Sequence, residues 1–211
     1  MFSWFINNLL WTAGIYVVLA LVVLMGFSFF IYPKLFWILI PLFVFCFYFF
    51  RNPERTCVNC EDPLLIVSPA DGRVLKIEEI GDQYKISIFL SVSDVHVNWI
   101  PTAGKIDSIT YRPGKFLVAY HPKSSENNER NSVVISTPSG QTMEVRQIAG
   151  LIARRICCWI SIGQDVKRGD KFGMIRFGSR IEILVKRDAF DVYLQEGQYV
   201  YGGQTIIGKW R

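Results

Sequence analysis

The chain has 211 residues, is 51% hydrophobic and 19% charged, and carries a formal net charge of +5. Lys34 is the only charged side chain among residues 1–50, so 22 of the 23 Lys and Arg (23 − 1) and all 18 Asp and Glu fall in the last 161 residues (211 − 50). This split excludes a simple soluble globule, a wholly disordered chain and a polytopic membrane protein, and the composition excludes collagen-like and disulfide-scaffold chains.

Leu9 to Tyr32 is a run of 24 residues without a charge. As a helix it would be ~36 Å long, more than the ~30 Å hydrocarbon core of a bilayer. Pro33-Lys34 interrupts, and Leu35 to Phe50 is a second apolar run of 16 residues, slightly short at ~24 Å. The pattern predicts an N-terminal transmembrane helical hairpin, with helices over about 9–32 and 35–50 and a turn at Tyr32-Pro33-Lys34. Residues 1–50 then form a membrane anchor and 51–211 a separate domain. Arg51 and Arg55 outweigh Lys34, which puts that domain on the cytoplasmic side of the cell membrane. A signal peptide fits poorly, because there is no basic leader and the run is too long.

Cys57-Val58-Asn59-Cys60 has metal or redox spacing, but no second half-site follows; adjacent Cys157 and Cys158 do not make one. Free thiols and no metal are expected. The soluble part is only +4 (22 − 18) and has no basic run, which argues against nucleic acid as a partner.

From Glu61 onward, short apolar runs recur between Gly, Pro, Asn and Asp, the pattern of a mainly β domain with a few short helices. Ile86, Ile88 and Leu90 alternate with Lys85, Ser87 and Phe89. Val133–Ser136, Pro138-Ser139-Gly140 and Met143–Arg146 read as a hairpin, and Ile181–Val185 as a strand. A short helix is expected near Ile148 to Ile156. Gly163-Gln164-x-Val166-x-x-Gly169 recurs as Gly197-Gln198-x-Val200-x-x-Gly203, a repeat suggesting a barrel-sandwich-like domain resembling biotinyl and lipoyl carriers. The modified-lysine turn of those carriers is not evident, so the likeness is structural.

There is no GxSxG elbow, HExxH or P-loop, and the only histidines are His96 and His121. Four pieces remain. Ser68-Pro69-Ala70-Asp71-Gly72 is either a plain turn before Val74 or a site for Asp71. Ser93-Asp94-Val95-His96-Val97-Asn98 follows a strand and offers an oriented acid or base, or a structural histidine. Arg154 and Arg155 lie in the apolar run Ile148–Ile156, where they hold a phosphate or a structural ion pair. Phe177-Gly178-Ser179-Arg180 precedes the last long strand.

In this order, together with Phe50-Arg51-Asn52-Pro53-Glu54-Arg55, Pro113-Gly114-Lys115-Phe116 and Asn128-Glu129-Arg130-Asn131, these motifs resemble the phosphatidylserine decarboxylases, in their short, archaeal-type branch. The resemblance runs from about Phe49 to about Val185. It implies a proenzyme that cuts itself at Gly178–Ser179. Ser179 Oγ attacks the Gly178 carbonyl, the resulting ester is eliminated, and hydrolysis of the dehydroalanine leaves a pyruvoyl group in place of Ser179. The products would be a β chain, 1–178, and an α chain, 179–211, that stay together as a heterodimer, with further oligomerisation left open. The pyruvoyl ketone would form a Schiff base with phosphatidylserine and act as the electron sink in its decarboxylation to phosphatidylethanolamine and CO2, with no metal and no pyridoxal phosphate.

The resemblance also implies Asp71 and His96 as partners of Ser179. Trp99 departs from the family, standing where the long branch has a second histidine and the short branch an arginine. The base for Ser179 is therefore His96 or, as second choice, His121, while His96 is the expected proton donor in decarboxylation. Two other readings stay open: a non-catalytic membrane-anchored adaptor, and a pyruvoyl decarboxylase acting on another amine.

Overall fold

Thr12–Ile31 and Pro33–Phe49 form two helices, α1 and α2, with Tyr32 alone between them. The computed structural model describes residues 12–56, 58–59, 61–114, 127–150, 156–175 and 179–211. The turn expected over three residues is thus shorter: Pro33 and Lys34 already belong to α2, because proline is well suited to a helix's first turn, where its missing N–H is not needed. The two helices pack on each other, with the Phe29 and Phe36 rings edge to face at 5.3 Å. Gly14–Ile31 has mean hydropathy 2.6 and is long and apolar enough to cross a membrane; α2 is shorter. Phe27, Phe30 and Val23 of α1 are more than two-thirds exposed.

The chain forms two units, one ending at Glu54 and the other Arg55–Arg211. The second is mainly β. Its strands are β1 (Leu65–Val67), β2 (Gly72–Ile80), β3 (Gln83–Leu90), β4 (Val97–Trp99), β5 (Gly104–Arg112), β6 (Arg130–Ser136) and β7 (Thr142–Ile148). They continue with β8 (Ile156–Cys158), β9 (Asp165–Val166), β10 (Lys171–Ile175), β11 (Ser179–Lys186), β12 (Phe190–Val192), β13 (Tyr199–Val200) and β14 (Ile206–Trp210). The expected hairpin is β6–β7, paired from Arg130↔Ile148 to Ser136↔Thr142. The helix expected near Ile148 to Ile156 does not start there: Ile148 ends β7 and Ile156 opens β8, the strand propensity of the isoleucines prevailing at both ends, while 151–155 lie outside the described residues.

Eight strands make one sheet in the order β13-β2-β3-β11-β7-β6-β5-β9, and two three-stranded sheets run β1-β14-β12 and β4-β10-β8. The order has a two-fold logic. Each half of the large sheet repeats the other outward from the β11–β7 pair, and the small sheets correspond strand for strand. Val67 N–H donates to the Pro101 carbonyl at 3.0 Å, and Trp99 N–H to the Pro69 carbonyl at 2.9 Å. Gly163 and Gly197 donate to Ile106 and Val74, which donate back to Gln164 and Gln198. Gln164 Oε1 accepts the Ser161 N–H and Gln198 Oε1 the Gln195 N–H, both at 3.0 Å. The repeat seen in the sequence is therefore one part of a larger duplication, whose other part is 68–74 against 100–106. Asp71 corresponds to Ala103.

Alternate residues of β3, β6, β7 and β11 fill one core, among them Ile88, Val133, Val145 and Ile183, each fully buried. β11 is covered on both faces from Ser179 to Val185. Gly72, at φ +145°, lets β2 approach β3 so closely that a Cβ there would lie 2.1 Å from the Phe89 carbonyl oxygen. Gly72→Ala is expected to destabilise the unit by at least about 2 kcal/mol, from strain and overpacking together. A fall in the unfolding midpoint of the purified protein measures this; an unchanged midpoint contradicts the close approach.

Candidate active site

Ser179 opens the central strand, opposite Leu90 of β3. Its side chain is 0% exposed, and Oγ has no hydrogen-bond partner among the described residues. A buried hydroxyl without a partner is costly, about 1–3 kcal/mol, and such groups concentrate where chemistry needs them. Gly178, on its N-terminal side, lies outside the described residues, as do His121, Arg154, Arg155, Cys57 and Cys60.

His96 lies just before β4 and is also 0% exposed. Its Nδ1 is 2.9 Å from the Asp94 carbonyl oxygen. A carbonyl only accepts, so Nδ1 carries the proton and a neutral ring keeps its lone pair on Nε2. The carboxylate of Asp94, which the sequence set beside His96, orients the loop rather than the ring. Oδ2 accepts the Ser91 N–H and Oδ1 the Tyr199 hydroxyl, both at 2.7 Å. Burial first, then this bond to Asp94, pushes the Tyr199 phenol well above its ordinary pKa. Ile175 N–H reaches the His96 carbonyl at 3.2 Å, tying the loop to the strand that leads toward Ser179.

Asp71 is buried and held on both oxygens. Arg55 Nη1 and Nη2 donate to Oδ1 and Oδ2 at 2.5 and 2.8 Å, and the Gly202 N–H donates to Oδ1 at 2.8 Å. The turn before it is made by Ser68, whose hydroxyl donates to the Ala70 carbonyl at 2.7 Å. Arg55 stacks on the Trp99 ring, 4.2 Å from its centroid. Trp99 in turn packs on Gly202, where a Cβ would come within 2.3 Å of the indole. So Trp99 supports the partner of Asp71. Arg55, counted in the sequence as a charge flanking the membrane, is drawn into this ion pair, because a buried carboxylate needs a fixed cation.

Sequence reasoning also missed a chain of buried amides. Asn131 Nδ2 donates to Gln147 Oε1 at 3.0 Å, and Gln147 Nε2 donates to Asn98 Oδ1 at 2.8 Å. Gly173 makes room for it, since a Cβ there would lie 2.6 Å from Gln147 Nε2. The available signals were Asn98, two residues after His96, and Asn131 at the end of Asn128-Glu129-Arg130-Asn131; nothing pointed to Gln147. Among the described residues no group of three or more His, Cys, Asp and Glu could hold a metal ion, and Cys46, Cys157 and Cys158 are free thiols.

The family model for phosphatidylserine decarboxylase matches residues 42–208. A phosphatidylserine decarboxylase proenzyme from Carboxydothermus hydrogenoformans is 47% identical over 175 residues, covering 80% of this chain and 81% of its own. Proenzymes of the same name from Wolbachia pipientis and Nitrobacter winogradskyi are 49% and 45% identical, over 78% and 87% of this chain and 75% and 77% of theirs. The chain belongs to the phosphatidylserine decarboxylase family. Ser179, His96 and Asp71 all lie within the matched span of this family, and most of α1–α2 precedes it.

The Arg55–Asp71 pair is open to a direct test. Both side chains are under a tenth exposed, so Arg55→Met strands a buried carboxylate and is expected to cost about 3–5 kcal/mol of stability. Arg55→Lys keeps the charge but loses the fork and the stacking, and falls between. Unfolding midpoints of the three proteins check the order; equal midpoints remove the pair's structural role.

Proposed function

We propose that this chain is a self-cleaving, pyruvoyl-dependent decarboxylase that converts phosphatidylserine to phosphatidylethanolamine and CO2. The observation that carries the reading is the buried hydroxyl of Ser179, without a hydrogen-bond partner among the described residues, at the head of the central strand. The proenzyme names of its relatives support it. In self-cleavage Ser179 Oγ gives up its proton and bonds to the Gly178 carbonyl carbon. The peptide C–N bond breaks and leaves an ester. Loss of the Ser179 α-proton expels the Gly178 carboxylate, and water completes the pyruvoyl as ammonia leaves.

The residues around position 179 fit that group: the hydroxyl that would generate it is desolvated, β3 pairs with Ser179 itself and β7 pairs from Arg180 onward. The group would supply a ketone for the substrate amine and a sink for the charge left as CO2 departs. His96 is fixed with Nδ1–H on a carbonyl, so Nε2 is the ring atom that can move a proton. Asp71, held by Arg55, sets the local charge, and Arg154 and Arg155 are the proposed holders of the substrate phosphate.

The two helices are proposed as a transmembrane hairpin forming an anchor of residues 1–50. The barrel-sandwich-like domain of residues 51–211 would lie on the cytoplasmic face, cut into chains 1–178 and 179–211 that remain associated. Leaving the bilayer costs a lipid about 0.8 kcal/mol per CH₂, so the enzyme gains by working at the surface. Two measurements test the reading. An intact-mass spectrum should show two chains, the shorter beginning with pyruvoyl. Vesicles containing phosphatidylserine should then yield phosphatidylethanolamine and CO2. A single species near 24.3 kDa without turnover would overturn it.

A further inference from the structure

Asp94 is buried, and its hydrogen bonds divide between a turn and a tie. Its N–H donates to the Ser91 carbonyl at 3.0 Å and its Oδ2 accepts the Ser91 N–H at 2.7 Å, which closes the turn 91–94 from both sides. Its carbonyl receives Nδ1–H of His96 at 2.9 Å. Its Oδ1 accepts the Tyr199 hydroxyl at 2.7 Å, and of these four bonds only this one leaves the loop. A hydrogen bond to an ionised acceptor is among the strong ones. The histidine ring is thus set on a residue that Tyr199 holds by its side chain.

Tyr199 is itself firmly placed. It stands opposite Arg73 of β2, and Val200 stands opposite Gly72, next to Asp71. Gly197 N–H donates to the Val74 carbonyl and Val74 N–H to the Gln198 carbonyl, both at 2.8 Å. The phenol ring packs edge-on against Tyr201, with centroids 5.1 Å apart. Burial, the bond to Asp94 and the charges of Asp94 and Asp71 keep the hydroxyl protonated, so it stays a donor. The fold does not ask for a phenol here. In the other half of the duplication Asp165 stands opposite Lys105 as Tyr199 does opposite Arg73, and Val166 opposite Gly104 as Val200 does opposite Gly72. A tyrosine at 199 therefore answers to what it reaches, the loop of His96.

We propose that Tyr199 is a positioning residue for decarboxylation: through the Asp94 carboxylate it fixes the His96 ring, so that Nδ1 stays the donor and Nε2 the atom that moves the proton. This rests on the proposed role of His96. The bond also spans the proposed cut, since Asp94 and His96 belong to 1–178 and Tyr199 to 179–211. The shorter piece would then supply both the pyruvoyl and the prop for the proton-transferring histidine. Without the hydroxyl the Asp94 carboxylate loses its tie to β13, and the loop can shift. A displacement of only about 1 Å can cost a positioned transfer about 10²-fold.

The test uses the full chain on phosphatidylserine vesicles, its cutting checked by intact mass. Tyr199→Phe keeps the ring against Tyr201 and the strand pairing, and deletes only the hydroxyl. It is expected to lower kcat about 10–100-fold, with KM within about twofold of the parent's and the unfolding midpoint unchanged. The histidine ring nitrogens give a second readout by NMR with isotope-labelled histidine, because the chain has only two histidines. In the parent the His96 signals should be those of a neutral ring with its proton fixed on Nδ1. In Tyr199→Phe they should average toward both tautomers. Asp94→Ala removes the acceptor, so adding Tyr199→Phe to it should change kcat no further. Parental kcat in Tyr199→Phe overturns the proposal. So does a lower kcat with the His96 signals unchanged, and so does a further loss in the double variant. A parent that is not cut or releases no CO2 marks failure of the functional reading instead, and the ring signals of Tyr199→Phe then still decide whether the hydroxyl positions His96.

Discussion

Ser179→Ala yields a single chain near 24.3 kDa that releases no CO2 from phosphatidylserine vesicles. The expectation follows from what one oxygen does. Without Oγ there is no nucleophile for the preceding carbonyl, no ester, and no α-elimination to make the ketone. Alanine keeps Cβ and deletes only Oγ, a buried polar atom with no partner among the described residues, so the fold should be unharmed or slightly stabilised. An unfolding midpoint at or above the parent's, with total loss of cutting and turnover, is the combined signature. Normal turnover by this variant removes the pyruvoyl mechanism.

His96→Ala is expected to lower decarboxylation by about 10²–10⁴-fold, the usual worth of a positioned proton-transfer group. The effect on cutting is a separate readout. If His96 also serves Ser179 as base, the variant stays uncut; if another group does, two chains appear but CO2 does not. Two chains without CO2 keep His96 in decarboxylation, an uncut chain assigns it to self-cleavage, and parental CO2 release from a cut variant removes it from decarboxylation. Because Nδ1 is held by the Asp94 carbonyl, His96→Gln, which offers no titrating nitrogen at the Nε2 position, should be as impaired as the alanine variant.

The sequence was readable where one residue type has one physical use. The charge-free runs gave both helices, and the alternation in Ile86–Leu90 and Ile181–Val185 gave β3 and its partner β11, which carries Ser179. The repeat was half visible. Gly163 and Gly197 have positive φ, and each is followed by a glutamine that closes its turn, so both keep recognisable letters. The matching segments 68–74 and 100–106 share little but Pro and Gly, because the rest is core or solvated edge that many side chains fill. Arg55 was misjudged because a basic residue after an apolar run satisfies a membrane rule before any buried partner is known. The connection Asn131–Gln147–Asn98 was not legible, although Asn98 and Asn131 stood in recognised motifs: it joins three strands through Gln147, and nothing local in the sequence brings the three together.

The position of β11 has a consequence for what happens after a cut. The shorter piece carries the reactive end, yet under the proposed reading all the lipid-embedded sequence belongs to the longer piece. What keeps the small fragment at its workplace is then strand pairing and shared core: β11 is laced to β3 and β7 along nearly its whole length, β13 to β2, and β14 to β1, while Ile181, Ile183 and Ile207 pack in the core with residues of the longer piece. Strong salt or alkaline washing, which strips peripheral proteins from membranes, should leave it in place, and only a denaturant that melts the sheet should set it free. Maturation would thus turn a covalent tether into a cooperative one, with the catalytic end retained for as long as the sheet survives.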